Sequence, residues 1–208
     1  MSDGPQSLSR AGELLRRVAQ IVAVFEGTTP EVRVGDRDKL ISLAHVVPGG
    51  LPSSISVMYS ESDPVSLTVP LAGEDLDFIP LQDIADVRVE ESLPPELIPF
   101  ARAGRTLLCV RAGIPSESQD APVVALSRVG NEWEEESAGK NLETFLAVLV
   151  DVLARLTAEA QQIAGTRDQQ GVTTTLGIEI PPFKLVELET AIQEIDAEHA
   201  EFWLTLLS

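Results

Sequence analysis

Two short runs decide what this chain can fold into. Thr106–Val110 and Val123–Val129 are continuous apolar stretches of strand length, rich in Val and Leu, and read as central strands of a sheet. Amphipathic helical patterns lie on both sides of them in the chain. Towards the N-terminus, Leu8, Ala11, Leu15, Val18, Val22 and Phe25 recur at alternating three- and four-residue spacing, ending at Gly27-Thr28-Thr29-Pro30. After the sheet runs, Asn141 precedes the most regular stripe in the chain: Leu142, Leu146, Leu149, Leu153, Leu156, Ala160 and Ile163. Asn141 is placed to cap that helix, and Gly165 stands where it would end. A last stripe, Leu185, Leu188, Ile192, Ile195, His199, Phe202 and Leu206, predicts one continuous C-terminal helix. Sheet in the middle and helices at both ends give an α+β fold: a twisted, mainly antiparallel sheet flanked by helices.

The finer reading divides the chain into an N-terminal helix (1–27), an α+β domain (28–164), a linker with a strand-like segment at Thr174–Ile180 (165–182), and a C-terminal amphipathic helix (183–208). Within the domain, Ile55, Val57 and Tyr59 alternate like a strand, as do Val65, Leu67 and Val69, and then Leu76 and Phe78. Asp38–Val47 fits either period, Leu81–Ile84 reads as a short helical turn, and Leu93–Phe100 as a proline-punctuated loop. Pro115–Pro122 reads as a polar loop, and Gly130–Ser137 as an acidic turn.

Charge narrows the partners. The 208 residues hold 33 acidic and 15 basic side chains, a formal charge of −18. Residues 51–100 contain ten acids and one base, and residues 179–208 contain seven and one. Such a chain is repelled by nucleic-acid phosphates and by an anionic membrane surface, and it attracts a basic protein. The residues expected to meet that partner are Trp133 with its flanking Glu132, Glu134, Glu135 and Glu136, and the acids Asp75, Asp77, Glu90 and Glu91. A large aromatic ringed by charge is the kind of anchor that dominates interface energies.

Catalytic and cofactor signatures are missing from the sequence. It contains no phosphate-cradling glycine loop, no Gly-x-Ser-x-Gly elbow and no His-Glu-x-x-His. The single cysteine, Cys109, lies in an apolar run and is expected to be buried and inert. Two histidines, His45 and His199, are too few for a multi-histidine metal site, and both read as structural. No cofactor, metal or enzymatic activity is expected. The longest apolar stretch, Phe145–Leu153, is broken by Asp151 and too short to span a bilayer, and no signal peptide is visible at the N-terminus. A soluble cytoplasmic protein is the expectation.

Three segments carry a family likeness. Gly50-Leu51-Pro52 followed by Ile55–Tyr59 resembles the opening of the SUKH superfamily, which includes bacterial toxin-immunity proteins and fungal cell-wall synthesis regulators. Ile98-Pro99-Phe100-Ala101-Arg102-Ala103-Gly104 followed by Leu107–Val110 resembles its central strand entry. Val123–Leu126, a charged turn and Leu142–Leu146 resemble its closing strand and helix. The likeness covers about residues 30–160. It implies an α+β domain without catalysis or cofactor that, in bacteria, binds and neutralises a cognate toxin domain, often a nuclease. The alternative is an adaptor or assembly subunit, or a homodimer, docking through the C-terminal helix.

Overall fold

The computed structural model describes residues 9–26, 29–71, 74–113, 121–130, 132–167 and 182–207. Helix α1 (Arg10–Glu26) is followed by strand β1 (Glu31–Arg33), helices α2 (Arg37–Val46) and α3 (Ser53–Glu61), and strands β2 (Asp63–Ser66), β3 (Thr68–Val69) and β4 (Leu76–Phe78). Helix α4 (Ile84–Glu90) precedes strands β5 (Leu97–Ala103), β6 (Thr106–Arg111), β7 (Val123–Val129) and β8 (Glu132–Gly139). Helices α5 (Leu142–Arg167) and α6 (Pro182–Asp196), a 3₁₀ turn (Ala197–His199) and helix α7 (Ala200–Leu206) complete the order. Strands β3 to β8 form a six-stranded sheet in chain order, every pair antiparallel, and β1 pairs with β2 separately. The fold is α+β.

The two apolar runs are β6 and β7, in the interior of the sheet, and their residues Leu107–Val110 and Val123–Leu126 are buried. Helix α5 lies against the sheet with Phe145 edge-on to Phe100 of β5, ring centroids 5.5 Å apart. Asn141 caps α5 as expected, its Oδ1 accepting the Thr144 N–H at 2.8 Å. The helix continues through Gly165 to Arg167. Helix α1 packs on α5 and buries Ala11, Leu15, Val18 and Val22. It is tied to α3 by polar contacts. Arg16 donates to Ser62 Oγ at 2.9 Å and to the Glu61 carbonyl at 2.6 Å, and Glu61 Oε2 accepts the Ser9 N–H and hydroxyl, each at 2.7 Å. A Cβ at Gly12 would stand 2.7 Å from that same Glu61 oxygen.

Several segments fold differently from the sequence expectation. Residues 55–59 are helical, not extended. Ile55, Val57 and Tyr59 alternate, but Ile55, Met58 and Tyr59 also fit one helical face, and it is this set that is fully buried. Pro52 precedes the helix, where its fixed φ suits a helix start. The Asp38–Val47 ambiguity resolves as α2, with Asp36 Oδ1 capping Asp38 and Lys39. The run Val65–Val69 divides at Leu67 between the two sheets. Helix α4 extends the predicted turn at residues 81–84 to Glu90. Half of the proline-rich loop is strand β5, which accommodates Pro99 at an irregularity in its pairing with β6.

The C-terminal stripe is two helices rather than one. The chain turns at Asp196 (φ −148°, ψ 73°), so Ile195 is left 39% exposed while Leu188, Ile192, His199 and Phe202 are buried. The segment docks on α5 within the chain. Its most buried large side chain is Trp203, outside the predicted stripe, with its ring 4.6 Å from that of Phe145. Arg155 of α5 lies within electrostatic reach of Glu187 and Glu194. The strand-like segment Thr174–Ile180 and most of the loop Pro115–Pro122 lie outside the described residues.

Candidate functional site

The segment expected to be an acidic turn is strand β8. Strand β7 ends at Val129, which stands opposite Glu132 at the start of β8, and Gly130 follows β7 with φ 63°. This strand forms one edge of the six-stranded sheet. Alternation along it separates Glu132, Glu134 and Glu136 from Trp133, Glu135 and Ser137.

The Trp133 row is engaged internally. One lateral row across the sheet runs Asp77, Arg102, Leu107, Leu126, Glu135. Over this face lies the end of α4 and the residue after it, Glu91. Glu91 Oε1 accepts from Arg102 at 2.8 Å, and its Oε2 is 3.6 Å from Arg128. The Glu91 carbonyl accepts the Trp133 indole N–H at 3.2 Å. The Arg128 guanidinium stands over the indole, 5.4 Å from its centroid. Arg111 pairs with Glu135 and lies 3.4 Å from Glu96. Beside them, burial, with the nearby Glu135 carboxylate, pushes the Cys109 thiol up to about 12. Trp133 is thus a half-buried strand residue folded onto α4.

The other predicted residues separate by environment. Asp77 accepts the Thr68 hydroxyl at 2.6 Å and sits opposite Arg102. Asp75 and Glu90 are exposed, at the start of β4 and the end of α4. Glu132, Glu134 and Glu136 are exposed on the opposite face of β8 from Trp133, and none forms an ion pair with another described residue. The strand beside them ends in exposed Ser127, Arg128 and Val129. Among the described residues, nothing engages the carboxylates of Glu132, Glu134 and Glu136. Among the predicted acids, Glu91, Glu135 and Asp77 already have partners.

A second group was not anticipated. At the far end of β8, Ser137 Oγ is 2.8 Å from His199 Nε2, and His199 Nδ1 is 2.7 Å from Asp196 Oδ1. His199 and Asp196 are 5% and 7% exposed, whereas Ser137 faces solvent. Asp196 Oδ2 also accepts the Lys140 N–H at 3.5 Å. Sequence gives the Asp196-x-x-His199 spacing but no sign of Ser137, 62 residues away. His45 Nδ1 donates locally to the Ile41 carbonyl, 2.7 Å away, within α2. Among the described residues no group of three or more His, Cys, Asp and Glu side chains could hold a metal ion, and no helix is long and apolar enough to cross a membrane. No family model matches the chain, and no curated protein sequence matches it.

Proposed function

We propose that this protein is a binding module that engages a basic protein through the acidic outer part of β8. The observation that carries the reading is the row Glu132, Glu134 and Glu136: three exposed carboxylates on one face of an edge strand, without internal ion pairs among the described residues. Around them the whole chain is strongly acidic. Like the substrate of a nuclease, such a surface is polyanionic, and a nuclease must be basic to hold its substrate. The SUKH resemblance gives the reading its particular form, an immunity-type protein that neutralises a cognate toxin domain. Of the C-terminal stripe that an adaptor or homodimer would use, Leu188, Ile192 and Phe202 are buried within the chain.

The test is isolation of the partner from the source cells with the full chain as bait, followed by calorimetry and stopped-flow association kinetics on the purified pair. A basic partner is expected, with an association rate that falls as salt is raised, because rim charges act mainly on encounter. Combined Glu132→Gln, Glu134→Gln and Glu136→Gln should weaken binding by about 0.6–3 kcal/mol, at roughly 0.2–1 kcal/mol per exposed charge. An acidic partner, or unchanged affinity in the triple variant, would overturn the reading. Inhibition of the partner's own activity by stoichiometric protein separates a neutraliser from a passive binder.

A further inference from the structure

We propose that Ser137, His199 and Asp196 form a serine nucleophile, general base and orienting carboxylate, and that Ser137 accepts an acyl group from a small activated carboxylic ester. The polarity of the hydrogen bonds carries the argument. A carboxylate only accepts, so in the neutral ring the proton sits on His199 Nδ1 and points at Asp196 Oδ1, 2.7 Å away. That leaves a lone pair on Nε2, so Ser137 Oγ, 2.8 Å away, donates its proton to the base. This is the order of roles in serine acyl transfer, recognised by geometry rather than by position in the chain.

Placement supports the same reading. The base and its carboxylate are buried, while the hydroxyl belongs to a residue that is exposed at the sheet edge. Ser137 is also next to an irregularity in the strand. It pairs with Val124 while Gly139 pairs with Val123, so Ala138 is the extra residue of a bulge. Such bulges re-aim neighbouring side chains and terminate pairing. Docking α6 and α7 onto this edge does not require a buried imidazole and carboxylate; an apolar contact would avoid the cost of desolvating them.

In the first step Ser137 Oγ bonds to the acyl carbon and its proton passes to His199 Nε2. The ester C–O bond then breaks, and the alcohol leaves with that proton. In the second step water attacks the acyl carbon and gives a proton to Nε2. The Oγ–C bond breaks, Ser137 regains the proton, and a carboxylic acid is released. Asp196 is a positioning residue that holds the ring tautomer. His199 hydrogen-bonds to Asp196 from its own segment and to Ser137 from β8, and Asp196 also accepts the Lys140 backbone N–H.

The test is labelling of the full chain with an alkyl fluorophosphonate, which forms an Oγ–P bond and releases fluoride, read by intact mass and peptide mapping. The expected result is one adduct, on Ser137, absent in Ser137→Ala and absent from the urea-unfolded chain. His199→Gln and Asp196→Asn should each slow labelling about 100-fold or more, the usual scale of general-base assistance, with melting monitored in parallel. The wild-type rate should rise with pH through a single ionisation, and Asp196→Asn should displace that ionisation. No Ser137 adduct on the folded wild type, or equal labelling of folded and unfolded chain, would overturn the proposal even if a variant failed to fold. So would a wild-type rate in well-folded Asp196→Asn, which would reduce the group to a clasp.

Discussion

Replacing Trp203 by alanine tests whether the C-terminal helices belong to the core of the monomer. The ring is fully buried, 4.6 Å from Phe145 and 6.1 Å from Phe202 between centroids, and Phe145 in turn meets Phe100 of the sheet. Trp203 is thus the last member of an aromatic chain running from β5 through α5 to α7. Truncating a large buried aromatic to alanine costs about 3–5 kcal/mol, as lost burial plus the cavity left behind. For a chain of this size 1 kcal/mol moves the melting temperature by about 2–4 °C, so the expected drop is roughly 6–20 °C. Thermal unfolding followed by circular dichroism, with light scattering on the same samples, reads both stability and mass. A wild-type melting temperature combined with a change from dimer to monomer would refute the reasoning, because Trp203 would then cover another chain. Total stability of a domain is about 5–15 kcal/mol. Removal of residues 182–208, which takes Leu188, Ile192, Phe202, Trp203 and Leu207 from the core together, should therefore leave no cooperative transition.

Three further outcomes follow from local chemistry. Asp63 is buried and accepts the Leu81 N–H at 2.8 Å, and burial raises its carboxyl above the usual aspartate range against the pull of that hydrogen bond, Arg33 and Lys39. A raised carboxyl favours the protonated folded state, so this contribution is complete at low pH and lost as pH rises through the folded value. Asp63→Asn, which keeps the acceptor, should gain stability over wild type across that rise in urea titrations; a constant offset at every pH would contradict the assignment. Cys109 should resist a disulfide thiol reagent at neutral pH until urea unfolds the chain, since its thiol is buried and raised to about 12; prompt reaction of the native protein would show the site is open. Gly35→Ala should cost about 1–3 kcal/mol, because a Cβ there would lie 2.1 Å from the Tyr59 carbonyl oxygen and the backbones must separate; an unchanged urea midpoint would show that they already can.

Legibility in the sequence tracked how strongly the apolar pattern discriminates one period from another. Strands β6 and β7 and helices α1 and α5 were readable because long runs of Leu and Val satisfy only one geometry, and Asn141 marked a helix start by the group it can accept. Helix α3 was not, because Ile55, Met58 and Tyr59 fit a helix while Ile55, Val57 and Tyr59 fit a strand, and the choice is made by α1 packing against it. Strand β8 was hidden by its own composition: a run of glutamates resembles a solvated turn, although Gly130-Asn131 between two extended segments is a hairpin signal. Trp203 lies off the stripe that a single continuous helix would present, because the chain turns at Asp196. The Ser137 contact with His199 depends on how α6 returns to the sheet, which no local pattern encodes.

The distribution of arginines divides the acidic side chains between the two faces of the sheet. Residues 51–100 hold ten acids and one base, yet Glu91 and Glu96 from that segment sit beside Arg102, Arg111 and Arg128, all on the α4 side of the sheet together with Glu135. That surface is close to balanced, and its ion pairs hold α4 and Trp133 in place rather than advertising charge. The carboxylates of Glu132, Glu134 and Glu136 have no such partners among the described residues and stand on a strand at the sheet's edge. An edge strand offers unpaired backbone groups to any other strand, and like charges along it oppose pairing between two copies of the chain. The same three charges cease to oppose pairing when the incoming surface is basic. Repulsion of self and attraction of a cationic partner are therefore one property of this edge, and neutralising the three glutamates should weaken both.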